Sequence, residues 1–224
     1  MNELGKIYQL LIPVGGHTMV FNLDAIIMSW LVIIILIVFG FFAARKKAML
    51  PGSLQLMGEL IVSKLFQLTE DALDENLAPK YAPLIAATFM FMLLCNWIGM
   101  IPHLSEPTKD LNTPLSMGIL GFVIAHHAGI KAKGFKVYAK AYFEPVFFMM
   151  PLNLIGEMAK IISISFRLFG NIMGGSIIIL VVSYLVYNIL LPPLLLAFFG
   201  LFVGAIQAFV FTMLTVVYIS VQVK

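Results

Sequence analysis

The stretch from Asn153 to Ser176 holds the chemistry most out of keeping with its surroundings, because Glu157, Lys160, Arg167 and Asn171 interrupt a long apolar run. Taken every third or fourth position, Asn153, Glu157, Lys160, Ile164, Arg167, Asn171, Gly174 and Ile178 form one stripe on a helix. A guanidinium near the middle of a bilayer costs about 3 kcal/mol on insertion scales, and about 10 kcal/mol or more in simulations of isolated helices. Arg167 therefore needs water, a counter-ion or a function to hold it there. Arginine stays protonated at any accessible pH, so it cannot itself carry a proton. It can discharge a carboxylate, or bar the passage of cations. From Phe147 onward the only acid is Glu157, about three turns from Arg167 and better placed to pair with Lys160 one turn on. The carboxylate that Arg167 meets is accordingly expected on another polypeptide.

The last apolar segment offers a surface for a close crossing. Gly200, Gly204 and Gln207 share one face, two small residues followed by an amide at the level of Arg167. Elsewhere the polar candidates are sparser. Asn96 ends an apolar run, and His103, Asp110 and Asn112 lie in the loop beyond it, where they can line a water-filled entrance or be plain solvated loop residues. His126 and His127 are adjacent, so on a helix they point apart and a metal site is not expected.

The elements that must position these residues are membrane spans. Of the 224 residues 61% are hydrophobic and 11% charged, and the mean hydropathy is +1.02. This usage belongs to a multi-span membrane protein. The apolar runs are continuous and not alternating, which excludes a β-barrel. Cys95 is the only cysteine, so no disulfide framework or thiolate metal cluster is available. No nucleotide-binding glycine loop appears, and no cofactor or nucleic acid is expected. Met1 to Pro13 lacks a basic region leading an apolar run, so a cleaved signal is not expected.

In chain order, residues 1–24 are expected outside or at the interface and 25–43 form a first span, closed by Arg45, Lys46 and Lys47. The positive-inside rule puts that cluster in the cytoplasm and the N-terminus outside. Residues 54–76 read as an amphipathic cytoplasmic surface helix with Leu54, Met57, Ile61, Leu65, Leu68 and Ala72 on its apolar face. It either packs on its own protein or docks a peripheral partner. Residues 83–102 and 113–130 are the second and third spans, the latter reaching a basic loop with Lys131, Lys133, Lys136 and Lys140. The apolar segment 147–188 would be about 60 Å long as one helix, against a hydrocarbon core of about 30 Å. One oblique helix is favoured over two spans, because only the glycines Gly170, Gly174 and Gly175 interrupt it. Residues 193–222 form a fifth span, also longer than an upright crossing needs. With five crossings the terminal Lys224 falls on the same side as the basic clusters. The expected fold is thus an all-α integral membrane protein with five transmembrane helices and one surface helix, the last two spans long and strongly tilted.

With the stripe and the last helix together, a family resemblance emerges. RLFGN (Arg167–Asn171), preceded by Glu157 and Lys160 and followed by QAFVFTMLTVVYIS (Gln207–Ser220), resembles subunit a of F-type ATP synthases. Asn96, Gly99, Pro102 and DLN (Asp110–Asn112) are similar to that family's second-span and outer-loop pattern. The resemblance covers most of the chain and is weakest before residue 80. It implies an ion-translocating stator subunit of a rotary motor in the plasma membrane of a bacterium, partnered by a ring of c subunits, peripheral-stalk b subunits, the rest of the complex and membrane lipid. ATP chemistry is not implied for this chain itself. The residue matching Arg167 would release the ion from each ring carboxylate and prevent a short circuit between two offset half-channels. Asn171 and Gln207 match positions near that arginine. Asn153, Glu157 and Lys160 would line the cytoplasmic half-channel, and Asn96, His103, Asp110 and Asn112 the external one.

One departure bears on the ion. Many relatives carry a glutamate and a histidine in the outer half-channel, and those positions are Ser176 and Gly200 here. Neither titrates, so either water and other groups relay protons or the coupling ion is sodium. A stand-alone transporter or channel is the competing reading. It would be expected to show internal repeats and its own carboxylates at midplane, and this sequence shows neither.

Overall fold

The computed structural model describes residues 9–14, 17–44, 53–73, 77–101, 104–141, 148–185 and 191–223. Arg45–Lys47, His103 and Lys224, on which parts of the sequence reading rest, lie outside the described residues.

Five helices are long and apolar enough to cross a membrane: Leu23–Ala43, Ala78–Met100, Asn112–Lys133, Met150–Leu185 and Leu191–Val223. The protein is an all-α integral membrane protein with one addition the sequence reading lacked, a small hairpin before the first helix. There β1 (Gln9–Val14) pairs antiparallel with β2 (His17–Asn22), with Val14 opposite His17. The signal was present in the Gly15–Gly16 pair between two runs rich in β-prone residues. The apolar character of the region masked it.

Helix α1 (Leu23–Ala44) carries Asp24 in its first turn, at the positive end of the helix dipole. Val32 is fully buried, against Cys95 and Ile98, while Ile34, Ile37 and Phe41 stand exposed. A helix apolar all round at the edge of a bundle presents that surface to lipid. Helix α2 (Ser53–Ala72) lies beside α1 and α3. Its inward positions are Leu65 and Thr69, with Leu73 just beyond its end. Met57, assigned by spacing to the apolar face, is instead 58% exposed. Helix α3 (Ala78–Trp97) begins with a proline in its first turn, where a missing N–H costs nothing, and ends in a 3₁₀ turn, Ile98–Met100.

A second 3₁₀ turn, Pro107–Lys109, precedes α4 (Asn112–Lys133). That helix stops at Gly134, whose φ of +80° suits only glycine and whose N–H donates to Ile130 O at 2.8 Å. Lys131 and Lys133 sit in its last turn, where cations are favoured. The short α5 (Phe135–Ala141) follows. Helix α6 (Met149–Leu185) is a single uninterrupted helix of 37 residues. The last span is α7 (Leu191–Leu196), a π-helical stretch (Ala197–Val203) and α8 (Gly204–Val223) in one line.

Helix α8 packs against α3 and α4. Small residues on α4 permit this closeness. A Cβ on Gly118 would stand 2.8 Å from Ser165 Oγ, one on Gly121 3.2 Å from Thr215 Cγ2, and one on Gly129 2.9 Å from Gln222 O. So α4 is the seam on which α6 and α8 both rest, by van der Waals contact between near backbones. Three buried hydroxyls bond within their own helices: Ser165 donates to Ile161 O, Thr212 to Ala208 O and Thr215 to Phe211 O, at 2.8 to 3.0 Å.

Candidate functional site

The stripe on α6 is set by what the opposite face buries. Ile164, Leu168 and Ile172 enter a core cluster with Met92, Leu93, Ala208 and Phe211. Burying Leu168 and Ile164 leaves Arg167, adjacent to one and a turn from the other, on the outer edge of the α6–α8 contact. Arg167 is exposed, and it shares a narrow cleft with Gln207, Val210 and Leu214 of α8. No described carboxylate lies within ion-pair distance of it. Asn171 stands one turn on, half-buried. The glycines on the same open side have space above them: a Cβ on Gly156, Gly170 or Gly174 would meet nothing within 4 Å.

Along α6 to one side of Arg167 lies an ion pair. Lys160 Nζ donates to Glu157 Oε1 at 2.7 Å, as their spacing predicts. The same ammonium stands 5.5 Å from the ring centroid of Tyr218, so the pair is also tied to α8. Asn153, two turns before Lys160, is half-buried.

To the other side lies a cavity of about 130 Å³ lined by Ser176, Ile172, Gly99, Gly200, Glu106 and Lys109, with Ile179, Leu196 and Phe199 completing it. Ser176 donates to Ile172 O at 2.9 Å, which leaves its oxygen able to accept. Glu106 is only 8% exposed. Lys109 Nζ stands 2.8 Å from Glu106 Oε2, at ion-pair distance but without the direction of a hydrogen bond, so that oxygen has no hydrogen-bond donor. Burying a carboxylate costs several kcal/mol even with a partner nearby, which makes Glu106 the second expensive charge of the molecule. The sequence pattern alone assigns it no role. Its only sequence signal was its place directly before Pro107, which starts the 3₁₀ turn that folds it inward.

The other described residues predicted for the outer region, Asn96, Asp110 and Asn112, do not line that cavity. Asn96 is fully buried and donates from Nδ2 to Gly204 O at 2.8 Å, tying α3 to α8, while its Oδ1 has no partner. Asp110 Oδ1 accepts the Asn112 N–H at 3.0 Å, and Oδ2 accepts from Asn22 Nδ2. Asp110 and Asn112 line a separate cavity of about 720 Å³ between α1 and α4, with Asn22, Ser29, Trp30 and Ser116. The glycine face of the last span also differs from expectation. Gly200 and Gly204 meet Met100 and the Asn96 Cβ, at 3.0 and 3.1 Å from an added Cβ, so they serve the crossing with α3. Gln207 lines the Arg167 cleft instead, three residues on from Gly204 and about 60° around α8 from it. His126 donates from Nδ1 to Phe122 O at 3.0 Å and packs on that ring, and among the described residues no cluster suited to a metal occurs.

Chemically, the arrangement is a fixed cation exposed on a helix face, flanked along that helix by polar groups about 10 to 15 Å away on either side. The sequence family described as "ATP synthase A chain" matches residues 26–220. ATP synthase subunit a of Aliarcobacter butzleri is 35% identical over 225 residues, covering 96% of this chain and 95% of the relative. That of Acidothermus cellulolyticus is 35% identical over 202 residues, covering 87% and 74%. That of Moorella thermoacetica is 33% identical over 197 residues, covering 88% and 89%.

Proposed function

Because the chain belongs to the ATP synthase A chain family, we propose that it carries the coupling ion between the two membrane faces and a ring of c subunits in a rotary ATP synthase. The observation that carries this reading is the exposed Arg167, which has no acidic partner among the described residues and has polar groups on both sides along α6. A cation so placed is available to a carboxylate that arrives from another subunit and leaves again. As a carboxylate reaches Arg167, the fixed charge favours its ionised form and the ion is released. As it moves away, the carboxylate recovers an ion from the other side.

The Glu157–Lys160 pair and Asn153 would line the path to the cytoplasm. The cavities at Ser176 and at Asp110 and Asn112, together with the buried Asn96, would serve the external side. Arg167 keeps the two paths from joining, since a permanent cation repels any cation attempting a direct crossing. The open glycines of α6 suit the close passage of the ring's helices. The b subunits of the peripheral stalk and the plasma membrane of a bacterium complete the assignment, with the N-terminus outside. The coupling ion is taken as the proton. Sodium is the alternative raised by Ser176 and Gly200.

Arg167→Ala should abolish ATP synthesis driven by an ion gradient in membrane vesicles, while ATP hydrolysis by the detached soluble sector stays intact. Normal synthesis in that variant would remove the assignment. Synthesis under a pure proton gradient against a pure sodium gradient, with a protonophore control, decides the ion.

A further inference from the structure

We propose that Glu106 is the proton-relay carboxylate of the external path, acting from the α3–α4 connection in place of a titrating group on α6 or the last span. The inference rests on the ion-translocation reading above, and it assigns a role to a residue that reading did not use.

Three observations converge on Glu106. The first is burial without satisfaction: the side chain is 7% exposed, Oε2 has no hydrogen-bond donor, and the ammonium of Lys109 stands 2.8 Å away without donor geometry. Buried polar groups are almost always satisfied, and an exception calls for a role. The second is the cavity. Its volume of about 130 Å³ gives room for several waters beside the carboxylate, and its wall includes Ser176 of α6 and Gly200 of the last span. The carboxylate thus reaches the α6–last span crossing from a different element. The third is the seat. Glu106 Cγ, Cδ and Oε1 occupy the position that a Cβ on residue 99 would take. Gly99 is what allows the acid to fold inward.

The step balances simply. The Glu106 carboxylate takes a proton from water on its outer side, becoming a carboxylic acid. It then gives a proton to water on its inner side and returns to the anion, with no other atom exchanged. Lys109 holds the anion in place and limits the time the acid form persists. Ser176 can accept a proton-bearing water on the way to the ring face, its own O–H being committed to Ile172 O.

The test uses the assembled complex in membrane vesicles, with the amount of this chain in purified complex measured for each variant. Glu106→Gln should lower synthesis driven by a proton gradient by about a hundredfold with assembly unchanged. Adding Ser176→Glu to Glu106→Gln should restore much of it, because the new carboxylate enters the same cavity. Lys109→Gln should lower synthesis much less than Glu106→Gln does, since the relay carboxylate itself remains. Parent-level synthesis in Glu106→Gln overturns the proposal. So does equal loss in Glu106→Gln and Lys109→Gln without rescue by Ser176→Glu, which would make the pair a structural clasp. Should Glu106→Gln not assemble, Gly99→Ala decides, since it keeps the acid but displaces it: loss of synthesis in assembled complex supports the relay, and parent-level synthesis overturns it. Parent synthesis that follows sodium and survives a protonophore also overturns it. Arg167→Ala run in parallel separates the two readings: if it stays active the family-level mechanism fails, and if it alone is inactive only the Glu106 assignment fails.

Discussion

Arg167 and Glu106 are both costly charges, and they are costly in different ways. Arg167 is exposed on a face that meets lipid or another subunit, whereas Glu106 is enclosed by its own chain. The first was legible from sequence, because a lone guanidinium in an apolar helix is conspicuous and its stripe follows from helical spacing. The ion pair of Glu157 with Lys160 was legible for the same reason. Glu106 was not, since its burial depends on a loop folding back over Gly99, and loop geometry leaves no periodic trace. Asn96 illustrates a third case, an amide whose type suggested a channel but whose Nδ2 ties α3 to Gly204 O. Asn96→Leu gives up that bond but also removes an unpartnered oxygen, so it should destabilise by only about 1 kcal/mol. Asn96→Asp buries an unpaired charge and should cost about 3 kcal/mol or more. The midpoint temperature for loss of the detergent-solubilised complex measures both, and a smaller loss for Asp than for Leu would refute this view of the site.

Among the elements, α6 and α4 divide the work. Length, apolarity and the absence of any break made α6 legible as one helix. The packing of α8 on α3 and on the α4 seam was not, because a glycine in a sequence does not say which neighbour its missing side chain admits. The structure separates two kinds of glycine. Gly118 lies against Ser165 and Ile161, while Gly170 faces open space. Gly118→Leu should therefore reduce the amount of chain recovered in membranes, by overpacking that costs about 1–3 kcal/mol. Gly170→Leu should leave recovery unchanged yet slow ATP synthesis, because its side chain would project where the proposed ring of c subunits would pass. Immunoblots of membranes and vesicle synthesis rates read the two effects. Equal behaviour of the two variants would mean that the open face is lipid-facing only.

At the scale of the whole molecule, the composition and five apolar segments were sufficient for the membrane class. The hairpin β1–β2 escaped because a two-stranded ribbon next to a span adds little to any hydropathy profile. The proposed orientation rests on charge placement, with Lys131, Lys133 and Lys136 at the far end of α4 from Asp110. Single cysteines at Asn112 and at Lys136, in a background with Cys95→Ser, should react with a membrane-impermeant thiol reagent from opposite sides. The position 112 variant should label from outside and the position 136 variant from the cytoplasm. The reverse pattern would invert the topology and exchange the two proposed paths.

The π-helical stretch Ala197–Val203 also bears on how the last span tolerates changes in length. A π turn holds one residue more than the α turn it replaces, so it acts as an absorbed insertion. Deleting Leu201 should collapse the stretch toward α geometry with the helix on both sides of it kept close to its present register, Gln207 beside Arg167 and Leu196 beside the cavity at Ser176. The same deletion inside α8 has no such slack, and would turn every core side chain beyond it out of place. The last span can therefore keep its contacts at Arg167 and at the cavity of Glu106 through a change of length that α8 could not absorb.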